Sequence, residues 1–169
     1  GQLHYTGSVP LGKIPAYQEM ADTPYRQAPY IGTYYYLINT LQAPTDNLKV
    51  RQALSMAIDR ESLNRNVLKG TNIPAYSITP PDTLGYFPPR LFSHDVARAR
   101  ELLAEAGYPN GEGWPGLELT YNTSEDHRKI AVALQQMWKD ALNIDVTLTN
   151  QEWKVYLDSV TQMNFQIAR

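Results

Sequence analysis

Hydrophobic and polar residues follow a regular pattern in the last third of the chain. The segments LELTYN (117–122) and IDVTLTN (144–150) alternate apolar and polar side chains, which is the period of a half-buried β-strand. The segment between them predicts a helix, because four apolar residues share one face: Ile130, Leu134, Met137 and Trp138. A second helix from Trp153 and a third strand, NFQIA (164–168), complete a β-α-β-α-β order. Such an order predicts parallel strands joined by right-handed crossovers.

The first two thirds of the chain combine helices with irregular stretches. Aromatic and β-branched residues at 30–40 predict a strand, and apolar spacing predicts helices at 48–58 and 60–69. Residues 71–92 are proline-rich and irregular, and a loop of that length in a compact domain is usually functional or poorly ordered. The segment SHDVARARELLAEAG (93–107) predicts a further helix, which a glycine ends. The expected fold class is therefore α/β.

Composition limits the class of function. Of the 169 residues, 43% are hydrophobic and 19% are charged, which is a globular balance. The longest apolar runs are much shorter than the roughly 20 residues of a membrane span. The net charge of −2 gives no electrostatic reason to expect nucleic acid as a partner. The absence of cysteine excludes disulfides and thiolate metal sites.

Three side chains follow the carboxyl ends of the three predicted parallel strands, the edge at which open parallel sheets bind ligands. His127 comes after the first strand, Trp153 after the second and Arg169 after the third. A guanidinium beside aromatic groups suits a ligand with apolar parts and a carboxylate. Each residue also has a structural explanation: His127 as a solvated first-turn residue, Trp153 as a core residue on the same helical stripe as Leu157, and Arg169 as a disordered terminal residue.

Catalytic and metal-binding motifs are absent from the sequence. It contains no G-x-S-x-G, H-E-x-x-H, Walker or G-x-G-x-x-G motif in the required context. Ser124, the serine nearest His127, is better explained as a helix cap. The three histidines, His4, His94 and His127, are scattered. The sequence thus predicts no enzyme, no metal site and no cofactor.

Five segments carry a resemblance to a known family: TYYYLINT, LKVRQALSMAIDRESL, ARELLAEAGYPNG, the continuous stretch from LELTYNTSEDH to NQEWKVYLD, and FQIAR. They resemble the periplasmic oligopeptide-binding proteins of peptide ABC importers, within family 5 of the extracellular solute-binding proteins. The resemblance implies a two-lobed receptor about three times this length. Residues 1–29 would be a segment of one lobe approaching the hinge, and residues 30–169 an incomplete C-terminal lobe, with a βαβαβ parallel or mixed sheet flanked by helices.

The resemblance also implies which residues contact ligand. By motif position these are Tyr30, His127, Trp153, Leu157 and Arg169. The arginine and the histidine would receive the carboxyl end of a peptide, and Trp153 with Leu157 would line a side-chain pocket. Family members continue the last strand into a Gly-Trp-x-x-Asp-Tyr segment, which this sequence does not contain.

Two positions depart from the pattern of some members. Val160 stands where those proteins have a second arginine, and Leu63 lies near the position of a lysine. These departures put anchoring of the ligand carboxylate at a fixed peptide length in doubt.

The implied protein is a monomeric periplasmic receptor. Its partners are short peptides and the membrane permease of an ABC importer, with no nucleic acid. Two alternatives stay open: the same receptor fold binding a nickel complex, haem or a sugar, and a hydrolase that uses His127 with a hydroxyl nucleophile. The hydrolase requires a serine Oγ within hydrogen-bond reach of the imidazole.

Overall fold

A four-stranded mixed sheet flanked by helices organises the chain. The computed structural model describes residues 6–7, 9–28 and 30–169. Sequence predictions that fall on 1–5, 8 and 29, such as that for His4, lie outside these residues. The helices are α1 (Ile14–Gln18, after a 3-10 turn at Leu11–Lys13), α2 (Leu48–Met56), α3 (Arg60–Ser62, continuing as a π-helical turn at Leu63–Val67), α4 (Val96–Glu105), α5 (Glu125–Leu142) and α6 (Trp153–Thr161). The strands are β1 (Leu37–Ile38), β2 (Leu117–Asn122), β3 (Val146–Gln151) and β4 (Ile167–Ala168), and a second 3-10 turn spans Pro109–Gly111.

The predicted β-α-β-α-β order is confirmed. The strands lie in the order β1-β4-β2-β3, so β2 is central. It pairs parallel with β3 from Leu117↔Val146 onward, and parallel with β4 at Leu119↔Ile167. β1 pairs antiparallel with β4, which makes the sheet mixed. All three parallel strands therefore end at the same edge.

The predicted strand at 30–40 is largely wrong, because only Leu37–Ile38 pairs as a strand. β4 offers it only a short partner, and the residues before Leu37 have no neighbouring strand among those described. Tyr30, Ile31 and Tyr35 are exposed. Strand propensity reflects how well a side chain fits a half-buried pleated surface. Without that surface, the aromatic residues form an extended segment.

The core lies between the sheet and helices α2, α4 and α5. Three residues of the predicted α5 stripe, Ile130, Leu134 and Trp138, are buried. The indole Nε1 of Trp138 donates to the carbonyl of Leu54 at 2.8 Å. That carbonyl is in the last turn of α2, where carbonyl groups have no intrahelical partner. A single side chain thus fills the core and caps the helix packed against it.

A buried asparagine joins β4 to the segment that follows β1. Asn39 is 1% exposed, and its Nδ2 donates to the carbonyls of Met163 and Phe165 at 3.0 and 2.9 Å. Its Oδ1 accepts from the amide of Leu41 at 3.0 Å. A buried amide needs such partners, because an unpaired polar group in the interior costs about 1–3 kcal/mol. These hydrogen bonds fix the backbone just before β4, and with it the position of Arg169, which follows β4.

The proline-rich segment 71–92 has no helix or strand beyond a single bridge between Thr83 and Tyr86, as its composition predicts. Arginine side chains hold part of it. The guanidinium of Arg60 lies 5.0 Å from the ring centroid of Phe92, and that of Arg90 lies 3.6 Å from the ring centroid of Tyr76. Cation–π contacts therefore tie this segment to the start of α3.

Candidate functional site

The carboxyl edge of the sheet gathers the residues that follow each parallel strand. β2 ends at Asn122, β3 at Gln151 and β4 at Ala168. Ser124 caps α5, because its Oγ accepts from the amide of His127, and this confirms its predicted role. These local signals place His127 in the first turn of α5, Trp153 at the start of α6 and Arg169 directly after β4.

Arg169 is held at this edge by its backbone and by its side chain. Its amide donates to the carbonyl of Thr120 at 3.0 Å, which extends the pairing of β4 with β2. Its Nη1 donates to Oδ1 of Asn122 at 3.1 Å, and its guanidinium carbon lies 4.9 Å from the ring centroid of Tyr34. None of the ion pairs formed by the described residues includes Arg169. The half-buried guanidinium is therefore ordered and is not neutralised by a carboxylate of those residues.

His127 lies beside the same two residues. Its Nδ1 is 3.4 Å from the backbone carbonyl of Asn122, and its ring centroid is 5.9 Å from that of Tyr34. Partial burial lowers the pKa of His127 below its ordinary value of 6.5, and the cation of Arg169 lowers it further, while Asn122 and Asp126 act in the opposite direction. In the neutral imidazole, Nδ1 donates to the carbonyl of Asn122 and Nε2 is an acceptor, so His127 donates to an anion only when it is protonated. The cation of Arg169 supplies the positive field beside it.

Two tyrosines lie close to Arg169 and His127. The rings of Tyr34 and Tyr36 meet edge to face at 5.8 Å. Burial raises the pKa of both phenols, so both stay neutral at physiological pH. The Tyr36 hydroxyl and the side-chain oxygen of Gln151 are buried without a hydrogen-bond partner among the described residues.

A pocket of about 240 Å³ opens at this edge. Its lining residues come from the segment around β1, from α6 and from the end of β4: Thr33, Tyr34, Tyr35, Leu37, Trp153, Tyr156 and Arg169. Trp153 stacks on Tyr156 with centroids 5.8 Å apart and planes 20° apart. The pocket thus combines aromatic surface with one cation.

The structure does not support the explanation of Trp153 and Leu157 as core residues on one stripe of α6. Trp153 is 49% exposed and Leu157 is 43% exposed, so neither is a core residue. Tyr156 is the buried residue of this helix, and it packs with Phe165, Ala168 and Val160. Apolar spacing alone did not distinguish the buried side of α6 from the exposed one. Val160 supplies packing where some family members have an arginine.

The structure brings together three of the five residues that the sequence points to. Trp153 and Arg169 line the pocket, and His127 adjoins Arg169 through Tyr34 and Asn122. Leu157 lies one turn along α6 and does not line the pocket. Tyr30 is 87% exposed and also stands outside the lining.

Sequence reasoning missed Tyr34, Asn122 and Tyr156. Asn122 could have been found, because it is the last residue of the central strand, where side chains face the ligand edge. Tyr34 could not be separated from its neighbours in the run YYY, because without a paired strand the alternation of faces is not fixed.

The contacts of His127 do not fit a hydrolase. Ser124 interacts with the backbone amide of His127, and no serine hydroxyl among the described residues hydrogen-bonds to the imidazole. Among all the residues that the structure describes, no group of three or more His, Cys, Asp or Glu side chains is placed to hold a metal ion. The arrangement can bind an anion through Arg169 and His127, and an apolar group through the aromatic pocket.

A mixed α/β sheet flanked by helices, with a cation and aromatic rings at the carboxyl edge of the strands, fits one lobe of a ligand-binding protein. The family model described as "Bacterial extracellular solute-binding proteins, family 5 Middle" matches residues 1–169. The chain belongs to this family, and the predicted family is confirmed.

Named relatives and solved structures agree with this assignment. The chain is 36% identical over 179 residues to the oligopeptide-binding protein OppA of Bacillus subtilis, covering 100% of this chain and 33% of that protein. It is 47% identical over 148 residues to the periplasmic murein peptide-binding protein MppA of Escherichia coli, covering 83% of this chain and 27% of MppA. The crystal structure of an oligopeptide-binding protein, OppAIV, from Borrelia burgdorferi superposes with a TM-score of 0.88 at 40% identity, covering 95% of this chain and 32% of that one.

The chain therefore spans about a third of the length of the relatives that it matches. The superposition agrees with a lobe of a periplasmic binding protein. Within the described residues, no helix has both the length and the hydropathy to cross a membrane.

Proposed function

We propose that this chain forms one side of the ligand cleft of a longer extracellular receptor, which binds short peptides and delivers them to the membrane permease of an ABC importer. The relatives are named for oligopeptides and murein peptides, and this supports peptides as the ligand class. The receptor is periplasmic and monomeric in this proposal, and it needs no cofactor and performs no catalysis.

One observation carries the proposal: a guanidinium and an imidazole meet beside exposed aromatic surface at the carboxyl edge of the sheet. Arg169 and His127 receive the carboxylate of the peptide, because a charge-assisted hydrogen bond is stronger than a neutral one. Trp153 and Leu157 contact an apolar side chain of the peptide. Because every peptide presents the same backbone amides, such a cleft tolerates many sequences.

The proposed division of the chain rests on the resemblance of the sequence to two-lobed receptors. Residues 30–169 belong to the C-terminal lobe, and residues 1–29 are a segment of the other lobe leading to the hinge. The buried residues Leu11 and Ile14 support this division, because they lie outside the two core clusters of the described residues. Closure of two lobes around the peptide then signals a loaded receptor to the permease.

Mass spectrometry of the native, full-length receptor, purified without denaturation, tests the proposal. We expect the spectrum of the released ligand to contain a mixture of short peptides with free carboxyl ends. A single bound species of another class, such as a nickel complex, haem or a sugar, would contradict the peptide assignment. Reloading the emptied receptor with a synthetic tripeptide is the control for loss of ligand during purification.

A further inference from the structure

Two residues that the sequence did not single out hold the cation of the site. Asn122 accepts from Nη1 of Arg169 at 3.1 Å, and the ring of Tyr34 lies 4.9 Å from the guanidinium carbon. The first contact fixes one edge of the planar group, and the second places the cation over the ring of Tyr34. The two contacts together restrict how the guanidinium can turn.

Asn122 is well placed for this task because its backbone cannot move freely. It is the last residue of the central strand, and it is in register with Gln151 of β3. The next amide, of Thr123, donates to the carbonyl of Gln151 at 2.9 Å. The Oδ1 of Asn122 is therefore held by the sheet itself, on a side chain with only two rotatable bonds.

Both residues also contact the imidazole. The backbone carbonyl of Asn122 lies 3.4 Å from Nδ1 of His127. The centroid of the Tyr34 ring lies 5.9 Å from that of the imidazole and 4.9 Å from the guanidinium carbon of Arg169. One asparagine and one ring thus set the positions of both groups that face the ligand.

We propose that Asn122 and Tyr34 are positioning residues that hold Arg169 and His127 ready for the carboxylate of the ligand. The inference rests on the proposed function, because it assumes that the ligand presents a carboxylate at this edge. A free arginine side chain loses rotational freedom when it binds, and a held one has already lost it. Without the two contacts, affinity for a carboxylate falls by about two- to tenfold for the ordering of one such side chain.

The test measures the selectivity of the full-length receptor for a tripeptide acid over the same tripeptide with an amidated carboxyl end, by calorimetry. We expect Asn122→Ala and Tyr34→Leu to weaken binding of the acid by about two- to tenfold. Asn122→Ala should leave binding of the amide within about twofold, whereas Tyr34→Leu also changes the pocket wall and should cost the amide less affinity than it costs the acid. Tyr34→Phe restores the ring and recovers selectivity relative to Tyr34→Leu. Asn66→Ala is the matched control, because this side-chain amide is exposed and, among the described residues, hydrogen-bonds to the hydroxyl of Ser62.

Asn122→Asp separates positioning from folding. The aspartate keeps an oxygen acceptor for Arg169, so the midpoint of thermal unfolding should stay near that of the parent protein. It also adds a negative charge beside the anion site, so the acid should bind to Asn122→Asp more weakly than to Asn122→Ala. Equal losses for acid and amide in Asn122→Ala would overturn the proposal, because they would indicate general damage to the cleft. Unchanged selectivity in both Asn122→Ala and Tyr34→Leu would overturn it as well. A parent receptor that does not prefer the acid would instead overturn the carboxylate anchor of the proposed function, and the positioning role with it.

Discussion

The exposed apolar side chains of α6 give a prediction that separates stability from binding. Leu157→Ala removes a side chain that is 43% exposed, whereas Phe165→Ala removes one that is 6% exposed in the neighbouring core cluster. If α6 presents Leu157 to the ligand, the first substitution affects peptide binding and the second affects folding.

The exposed fractions give the magnitudes. Complete burial of a leucine is worth about 1.5–3 kcal/mol, so covering the exposed 43% of Leu157 with a ligand is worth about 0.6–1.3 kcal/mol, or about three- to ninefold in affinity. On the same scale, the covered remainder of the side chain is worth about 0.9–1.7 kcal/mol, and the better helix propensity of alanine offsets a small part of it, so the substitution destabilises the fold by at most about 1.5 kcal/mol. Phe165→Ala should cost about 3–5 kcal/mol.

Calorimetric titration with a peptide library and thermal unfolding measure the two effects. Val155→Ala is the matched control, because Val155 is 54% exposed on the opposite side of α6. We expect it to change neither affinity nor midpoint appreciably. A large stability loss for Leu157→Ala, or equal affinity losses for Leu157→Ala and Val155→Ala, would refute the assignment of this face to the ligand.

Further predictions concern folding and protonation. Asn39→Ala should destabilise the receptor by about 2–4 kcal/mol in denaturant unfolding, because it removes the side-chain donor to the carbonyl of Phe165 and the acceptor for the amide of Leu41. The carbonyl of Met163 keeps a donor, Gln42, and a loss below about 0.5 kcal/mol would contradict the prediction. Trp138→Phe should cost about 1–3 kcal/mol, because it removes the donor to Leu54, and a neutral result would show that water replaces the indole. Binding of a peptide acid should strengthen from about pH 8 to about pH 5.5, because the carboxylate favours a protonated His127 whose pKa in the free site lies below 6.5. Without ligand, the same depressed pKa makes the fold less stable as the pH falls below 6.5, because the unfolded chain takes up the proton more readily; His127→Gln should abolish both trends.

Local patterns predicted the β-α-β-α-β half of the fold well. β2 has the predicted bounds, 117–122, and α5 follows it with its apolar stripe on the core side. Alternation and helical spacing are properties of neighbouring residues, so one sequence is enough to detect them. The segment 30–36 was predicted wrongly because a strand needs a partner, and β4 is long enough to pair only with Leu37 and Ile38.

The candidate site could be predicted only in part, because some of its contacts join residues that are far apart in the sequence. Topology placed His127, Trp153 and Arg169 at one edge. The contacts that hold Arg169 depend on tertiary geometry: Tyr34 approaches from a segment far away in sequence, and Asn122 points its side chain along the edge. The exposed side of α6 likewise depends on which residue packs on Phe165, and that residue is Tyr156.

The central claim is that Arg169 receives the carboxyl end of a peptide. The most direct measurement is calorimetric titration of the parent receptor and of Arg169→Ala with a tripeptide acid and its amide, with Arg128→Ala as a control for loss of charge at an exposed position nearby. We expect Arg169→Ala to weaken binding of the acid by about ten- to a hundredfold, equivalent to about 1.5–3 kcal/mol for hydrogen bonds to a charged group, and to change binding of the amide by less than about threefold. Equal effects on acid and amide, or no effect on the acid, would contradict it.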